Sequence, residues 1–281
     1  MNCDSDDDWK KDLDRRGYVV IPNILSKKQC DGYIRQLAKT MKKVLAMSGG
    51  DWDRFVDEKA PNGVIHGLDN LATLWEIRSH PAIRHIFQQL YGMEEELYLY
   101  IDRFNYRPPR LQLPYRCDWH IDENPFHPQS NYQAFLSLTD IKEKDACLGI
   151  LDGSHHHVRD AIYTFDGPLH PFTKDHHDWF LSRQCKEIRV ASPPGSLVLW
   201  NSGCIHNPLN SLRERPRRRV VTYMRYFPTS RCPVEKRMRA LQTYLEYKDL
   251  CLDPEQILEK YSALIFPNSS PSPSPSKDMT G

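Results

Sequence analysis

The chain has 281 residues, of which 40% are hydrophobic and 27% are charged, and its formal net charge is +1. This length suits one large globular domain whose core needs neither disulfides nor a structural metal. A net charge so close to zero gives no bulk signal for a nucleic-acid partner. No apolar run approaches the roughly 20 residues that a membrane helix needs, and the acidic start MNCDSDDDWKKD does not resemble a signal peptide. We therefore expect no membrane span.

Eight cysteines are scattered along the chain, and none of them forms a CxxC pair. This spacing is typical neither of a disulfide framework nor of a zinc ribbon. We interpret the cysteines as reduced thiols, most of which fill space in the core. Reduced thiols predict a cytoplasmic, intracellular protein. The sequence leaves the oligomeric state open.

The N-terminal part of the chain predicts helices. SKKQ is a capping-box pattern, with Ser26 as the N-cap and Gln29 at the third helical position. Apolar residues then recur with a helical period. A short β-rich run, GYVVIPNIL at 17–25, precedes this helix. Pro81 predicts the start of a second helix, which we expect to stop before Gly92.

After Gly92 the pattern changes to short strands that are rich in β-branched and aromatic residues and separated by turns. They are LYLYIDRF (97–104), YRCDWHID (115–122), YQAFLSL (132–138), KEIRV (186–190), SLVLW (196–200) and RVVTYMRYF (219–227). Helices followed by many short strands predict a mainly β fold with flanking helices. Among such folds we favour the double-stranded β-helix, which is a cupin-like jelly roll.

The domain organisation follows from composition. We expect a single domain over residues 1–266, with N-terminal helices and a C-terminal helical extension at about 234–265. The segment 155–184 has little periodicity and is interpreted as a long loop. The segment 267–281, PNSSPSPSPSKDMTG, is of low complexity and predicts a disordered tail.

The motif DWHID at 118–122 is the first candidate for chemistry. In a strand, residues two apart project from the same face, so His120 and Asp122 would point together. One imidazole and one carboxylate make half of a metal ligand set. The motif alone is weak evidence, because a strand histidine beside an aspartate is more often a surface pair.

A second imidazole follows much later, at the end of PPGSLVLWNSGCIH (193–206). His206 comes after a buried strand and a short polar loop. If that strand lies beside the HxD segment, His206 would complete a set of two histidines and one carboxylate. Such a facial triad leaves open positions on one side of a non-haem Fe(II).

The basic run RPRRR at 215–219 offers a partner for a cosubstrate. An iron oxygenase that uses 2-oxoglutarate needs a cation for its distal carboxylate, and guanidinium makes a bidentate match. Strand alternation places Arg217 and Arg219 on one face and Arg218 on the other, and the two faces are about equally apolar. Periodicity alone therefore leaves the choice open. A solvated strand end or a phosphate-binding patch is the alternative interpretation for most of these arginines.

Taken together and in order, these motifs resemble the phytanoyl-CoA dioxygenase family of Fe(II)/2-oxoglutarate oxygenases. The resemblance spans roughly 9–230. The matching segments are GYVVIPNILSKKQC (17–30), DWHID (118–122), AFLSLTD (134–140), CLGILDGSH (147–155), PPGSLVLWNSGCIH (193–206) and PRRRVVTY (216–223). The resemblance implies a jelly roll that uses Fe(II), 2-oxoglutarate and O₂ to hydroxylate a small or lipid-like molecule, with release of succinate.

The same resemblance assigns the site residues. It implies that His120, Asp122 and His206 are the catalytic metal ligands. Arg217 would anchor 2-oxoglutarate, because it lies 11 residues after His206 and follows a proline. Asn105 sits where the family often contacts the cosubstrate. The alternatives are a non-catalytic protein of this fold and a Zn- or Mn-dependent cupin.

Other histidines and aromatic residues are weaker candidates. Three adjacent histidines, at 155–157, cannot easily share one ion, because neighbours in an extended chain point in alternating directions. His127 follows the HxD motif closely enough to line a pocket. We expect Tyr163, Phe165 and Trp179, in the long loop, to close over a substrate.

Overall fold

The computed structural model describes residues 8–47, 63–64, 71–109, 118–123, 131–231 and 235. The predicted tail, nearly all of the predicted C-terminal extension and His127 lie outside the described residues. The boundaries of the single domain therefore stay a prediction. No helix in the described ranges is both long and apolar enough to cross a membrane.

Helices dominate the described chain up to Tyr91, and strands dominate from Leu97 onward. The helices are α1 (Asp8–Arg16), α2 (Lys27–Met47), α3 (Ala72–Arg78), α4 (Pro81–Tyr91), α5 (Val158–Thr164) and α6 (Lys174–Ser182). The strands are β1 (Tyr18–Ile21), β2 (Leu97–Arg107), β3 (Tyr132–Ser137), β4 (Cys147–Asp152), β5 (Lys186–Val190), β6 (Leu197–Asn201), β7 (His206–Leu209) and β8 (Arg219–Pro228). Short 3₁₀ turns occupy Ser154–His156 and Thr229–Arg231.

The strands form two antiparallel sheets. The larger sheet has five strands in the order β1-β6-β3-β8-β2, and the smaller has three in the order β5-β4-β7. Neighbouring strands in this order are mostly distant in sequence, as in a jelly roll and unlike a meander. The predicted fold class, mainly β with flanking helices in a jelly roll, is confirmed.

The two faces of the larger sheet bury different clusters, and β8 shows how. Val220 and Met224 pack against the helices. Val221 and Tyr223 belong to the cluster between the sheets, together with Trp200. Because strand side chains alternate, the odd-numbered residues of β8 point toward the space between the sheets. This alternation decides which arginines reach the interior.

The predicted starts of both helices are confirmed. The Ser26 backbone N–H donates to Gln29 Oε1 at 2.9 Å, and the Gln29 N–H donates to Ser26 Oγ at 3.3 Å. These reciprocal bonds form the capping box, and α2 begins at the next residue. Pro81 occupies the first turn of α4, and Gly92 is its C-cap.

The segment 155–184 is not a loop, so that prediction was wrong. It contains α5 and α6, which have only seven and nine residues. Helices of two turns bury too few residues to show a clear period in sequence. Thr173 caps α6, since its side chain accepts from the His176 N–H. Phe165 and Trp179 pack in the small core of this region, whereas Tyr163 is exposed.

Gly195 makes the tightest backbone approach in the turn before β6. Its φ is +80°, and an added Cβ would lie 1.9 Å from the Leu25 carbonyl oxygen. We expect Gly195→Ala to lower the free energy of unfolding by at least about 3 kcal/mol, because strain and a backbone clash add. Urea denaturation followed by circular dichroism measures this change.

The matched control is Gly32→Ala in the middle of α2, where an added Cβ meets nothing closer than Arg35 Nη2 at 3.9 Å. Alanine loses less backbone entropy than glycine in a helix, so this variant should gain roughly 0.5–1 kcal/mol. Equal effects of the two substitutions would contradict the packing described for Gly195.

Candidate active site

His120 and His206, which are far apart in sequence, lie side by side. Each backbone N–H donates to the carbonyl oxygen of the other residue, at 3.1 and 2.9 Å. The two imidazole centroids are 4.3 Å apart. This antiparallel bridge is isolated, so the described part of the predicted strand 115–122 pairs at one position only. The bridge ties the HxD segment to the first residue of β7.

Asp122 completes a group that can hold a metal ion. Its Oδ1 lies 3.9 Å from His120 Nε2, and its Oδ2 lies 3.6 Å from His206 Nε2. One ligand atom from each of the three residues lies within 4.8 Å of the others. Two imidazoles and one carboxylate are the donor set of a facial triad. The structure thus brings together the three residues that the sequence singled out.

Backbone carbonyls orient both imidazoles. His120 Nδ1 lies 2.8 Å from the Asp118 carbonyl oxygen, and His206 Nδ1 lies 2.9 Å from the Cys204 carbonyl oxygen. In each case the Nδ1–H donates, which leaves the lone pair of Nε2 directed at the group. Outer partners of this kind fix the tautomer of a metal-binding histidine.

Asp122 is the anionic member of the group. Burial opposes its ionisation, but the neighbouring imidazole of His206, with smaller effects of Gln133 and His120, outweighs burial. Together they hold the pKa of this carboxyl well below its usual range. Asp122 therefore presents a carboxylate at neutral pH.

Arg219 and Asn105 meet in the interior. Arg219, which is 2% exposed, donates from Nη1 to Asn105 Oδ1 at 2.9 Å. Its Nη2 donates to the Tyr223 hydroxyl at 3.4 Å, and its guanidinium lies 5.2 Å from the Phe135 ring centroid. Asn105 is buried on β2, opposite Val221 of β8.

The interior around Tyr223 is cationic. Burial alone would raise the pKa of the Tyr223 phenol, but the guanidinium groups of Arg219, Arg103 and Arg107 outweigh it and lower that pKa. Arg219 and Arg107 are themselves buried. Positive charge at low exposure favours an anion such as a carboxylate.

Arg217 is not brought to this interior. It precedes β8, and its side chain is 41% exposed. It makes a two-point ion pair with Asp145 and lies 3.6 Å from Asp140 through Nη1. Burial opposes ionisation of Asp145, but Arg217 and other donors lower its pKa to about 2. Because the strand begins only at Arg219, alternation does not carry Arg217 inward. Arg218 is exposed as well.

An aromatic wall connects the histidines with Arg219. The Trp200 ring lies 5.6 Å from His206 and 6.4 Å from Tyr223, centroid to centroid. The Phe135 ring lies 5.9 Å from Trp200 and 5.6 Å from Tyr223. These ring contacts run from His206 to Tyr223, whose hydroxyl is a partner of Arg219.

Two other histidines, His155 and His176, serve the fold. His155 Nε2 lies 2.8 Å from the Asp14 carbonyl oxygen, and burial lowers the pKa of this imidazole to about 4. His176 caps α6 and packs edge-on against Phe165. Within the described ranges, His120, Asp122 and His206 form the single group of at least three such residues that can hold a metal.

Two side chains near Asp122 were missed at the level of sequence. Arg225 Nη2 lies 3.4 Å from Asp122 Oδ2 and 2.6 Å from Gln133 Oε1. The signal was present in part, because Arg225 alternates in phase with Arg219 and would share its inward face. That Gln133 lies next to Arg225 depends on the pairing of β3 with β8.

A model of the family described as phytanoyl-CoA dioxygenase (PhyH) matches residues 13–218, most of the chain. The chain belongs to this family. The resemblance that the motifs suggested is therefore confirmed, and so is the class of iron- and 2-oxoglutarate-dependent oxygenases. Fe(II), 2-oxoglutarate and O₂ are the cofactors and cosubstrates of this class.

Known proteins share the sequence or the fold. The Ava biosynthesis cluster protein O of Aspergillus versicolor is 24% identical over 88% of this chain and 83% of its own length. EctD from S. alaskensis, solved with 2-oxoglutarate and 5-hydroxyectoine, has a TM-score of 0.56 at 17% identity, over 78% of this chain and 75% of that one. The 2-oxoglutarate-dependent epimerase SnoN has a TM-score of 0.51 at 17% identity, over 78% and 81%.

Proposed function

We propose that the chain is a hydroxylase that acts on a small molecule and converts 2-oxoglutarate to succinate, with His120, Asp122 and His206 as its iron ligands. The observation that carries the proposal is the convergence of these three side chains in a fold that also buries Arg219 with Asn105. The proteins of similar fold include EctD, which was solved with 2-oxoglutarate and with bound Fe.

The protein's part in this chemistry is to hold the metal ion and the cosubstrate and to orient them. Bound Fe(II), with 2-oxoglutarate and O₂, supplies the oxidising power that acts on an unactivated C–H bond. His120 and His206 would bind the ion through Nε2, and Asp122 would add its negative charge. A facial set leaves the opposite side of the ion open for small ligands.

Arg219 is the anchor that we propose for the distal carboxylate of 2-oxoglutarate. It is buried, it belongs to the inward face of β8, and it meets Asn105, the other residue assigned to the cosubstrate. A charge-assisted contact is strongest where water is excluded. Arg217 already engages Asp145, and its exposure would weaken any contact to a carboxylate. Only the family resemblance, through the offset of 11 from His206 and the preceding proline, favoured Arg217.

The reaction catalysed on the substrate needs its own test, because this cofactor chemistry has several outcomes. SnoN is described as an epimerase and SnoK as a carbocyclase. Each outcome leaves a different mass on the product. Hydroxylation adds one oxygen, whereas ring closure removes two hydrogens and epimerisation leaves the mass unchanged.

We expect hydroxylation and not halogenation. Related halogenases lack the carboxylate ligand, so that a halide can take its place on the metal. In this chain the carboxylate of Asp122 would occupy that coordination position. Mass spectrometry of product formed in chloride or bromide buffer should show added oxygen only. A halogenated main product would contradict the role given to Asp122, and the Asp122→Gly variant is the matched test of whether the position admits a halide.

The experiment that tests the function is a substrate screen of the iron-loaded protein. Succinate is measured for each candidate molecule against the same reaction without substrate. A hydroxylase should give at least one molecule that raises succinate release and gains an oxygen. Stable Fe(II) binding with no 2-oxoglutarate consumption under any condition would instead favour a non-catalytic or Zn/Mn-dependent cupin. The His206→Ala protein controls for free iron.

A further inference from the structure

We propose that Arg225 holds one oxygen of Asp122, so that this carboxylate binds its metal through the other oxygen alone. The inference rests on the proposed metal site. Arg225 is a positioning residue, because it acts on the ion only through Asp122. By limiting Asp122 to one ligand oxygen, Arg225 would keep one more coordination position on the ion open.

The side chain of Arg225 contacts Asp122 from the larger sheet. It belongs to β8, and its Nη2 lies 3.4 Å from Asp122 Oδ2. The two side chains are 23% and 28% exposed, so the pair is partly shielded from water. A guanidinium is planar and always charged, so it can hold a hydrogen bond to a carboxylate oxygen at any physiological pH.

Gln133 fixes the direction of the guanidinium. Its Oε1 accepts from the same Arg225 Nη2 at 2.6 Å. Gln133 is 1% exposed and lies in β3, which is hydrogen-bonded to β6 on one side and to β8 on the other. An acceptor built into the middle of a sheet leaves the arginine little freedom. Partners of this kind orient metal ligands in many proteins.

The backbone of Asp122 is not part of a named strand, so the sheets do not by themselves fix the direction of its side chain. The Asp122 N–H donates to the Ser202 carbonyl oxygen at 3.1 Å. Rotation of its side chain can present either one oxygen or both to an ion, since carboxylates bind metals in both modes. The engagement of Oδ2 by Arg225 leaves Oδ1 for the ion.

The distinction matters for the cosubstrate. A carboxylate that binds through both oxygens takes one more position on a six-coordinate ion. 2-Oxoglutarate chelates through two atoms, and O₂ needs a further position. Arg225 would therefore favour cosubstrate binding while adding a repulsive charge near the cation. Loss of the arginine relieves this repulsion and frees a ligand atom, but it also removes the partner that orients Asp122. Because these effects oppose each other, metal affinity itself should change little.

The experiment uses Mn(II) as the probe and counts its bound waters. Hyperfine broadening of the Mn(II) electron paramagnetic resonance signal in ¹⁷O-enriched water reports that number. We expect Arg225→Met to hold one water fewer than the wild type, with a Mn(II) dissociation constant within about threefold. The dissociation constant of 2-oxoglutarate for the Mn(II)-loaded protein should rise roughly tenfold, the lower end of the effects known for outer partners.

Two further variants separate the explanations. Arg225→Gln keeps an N–H donor without the charge, so it should recover part of the lost water and part of the 2-oxoglutarate affinity. Arg218→Met removes an exposed arginine that lies outside the strands and should match the wild type. Thermal unfolding of each protein shows whether the fold is kept.

Three results would overturn the inference. The first is an unchanged water count in Arg225→Met. The second is loss of Mn(II) binding in that variant, which would make Arg225 a support for the ligand and not a restraint on it. The third is an equal loss of bound water and of 2-oxoglutarate affinity in Arg225→Gln and Arg225→Met. That result would mean that the charge of Arg225, and not its hydrogen bond to Asp122, causes the effect. Failure of the wild type to bind Mn(II) would instead overturn the metal site, and this inference with it.

Discussion

Replacing His206 with alanine is expected to weaken Fe(II) binding by at least about a hundredfold and to abolish 2-oxoglutarate turnover. The loss of an outer partner alone costs 10–100-fold in many metal sites, and His206 supplies a ligand atom directly. Its imidazole is buried and its Nε2 faces Asp122. The backbone bonds between His206 and His120 do not need the side chain, so the fold should survive.

The control for His206 is another histidine of the same chain. His156 is exposed and lies in the 3₁₀ turn after β4, so His156→Ala should keep full iron binding and turnover. Anaerobic titration with Fe(II) and succinate analysis give the two readouts for both variants. Full activity in His206→Ala, together with loss of activity in His155→Ala, would mean that the ligand assignment is wrong.

Replacing Arg219 is expected to act on the cosubstrate and not on the metal. A charge-assisted contact contributes roughly 1.5–3 kcal/mol, so Arg219→Ala should raise the apparent KM for 2-oxoglutarate about ten- to a hundredfold. Iron affinity should change little, because the side chain of Arg219 engages Asn105 and Tyr223. Initial rates of succinate release at saturating Fe(II) measure this KM.

Arg217→Ala is the matched variant, since it removes the same side chain two residues earlier. It should leave the KM for 2-oxoglutarate within about twofold. It should instead lower thermal stability modestly, because Asp145, whose side chain is 4% exposed, loses a two-point partner. A large KM effect at Arg217 with none at Arg219 would return the anchor to the position that the family offset favoured. Arg219→Lys keeps the buried positive charge, so it is the variant to measure if Arg219→Ala does not fold.

Much of the fold followed from local signals in the sequence. The capping box at Ser26 and the proline at 81 mark helix starts because the chemistry of a helix end is local. The jelly roll followed from the order of the short strands and their motifs. The metal group followed from same-face spacing at 120 and 122 and from a histidine after a buried strand.

What the sequence left open depends on pairings between distant residues. Arg217 and Arg219 share a face only if the strand includes both, and it begins at Arg219. The ion pair of Arg217 with Asp145 joins residues on either side of four strands. The neighbourhood of Arg225 and Gln133 likewise requires the register of β3 against β8. No local pattern contains this information.

A single-turnover experiment on the anaerobic protein tests the proposed iron and 2-oxoglutarate chemistry most directly. Fe(II) and 2-oxoglutarate are added to the chain, the visible charge-transfer band of their complex is recorded, and O₂ is then admitted. We expect a band that saturates at one Fe(II) per chain, that is absent in His206→Ala, and that decays with release of succinate. A wild-type protein that forms no such complex, or that keeps its 2-oxoglutarate intact after O₂ is admitted, would contradict the proposed chemistry.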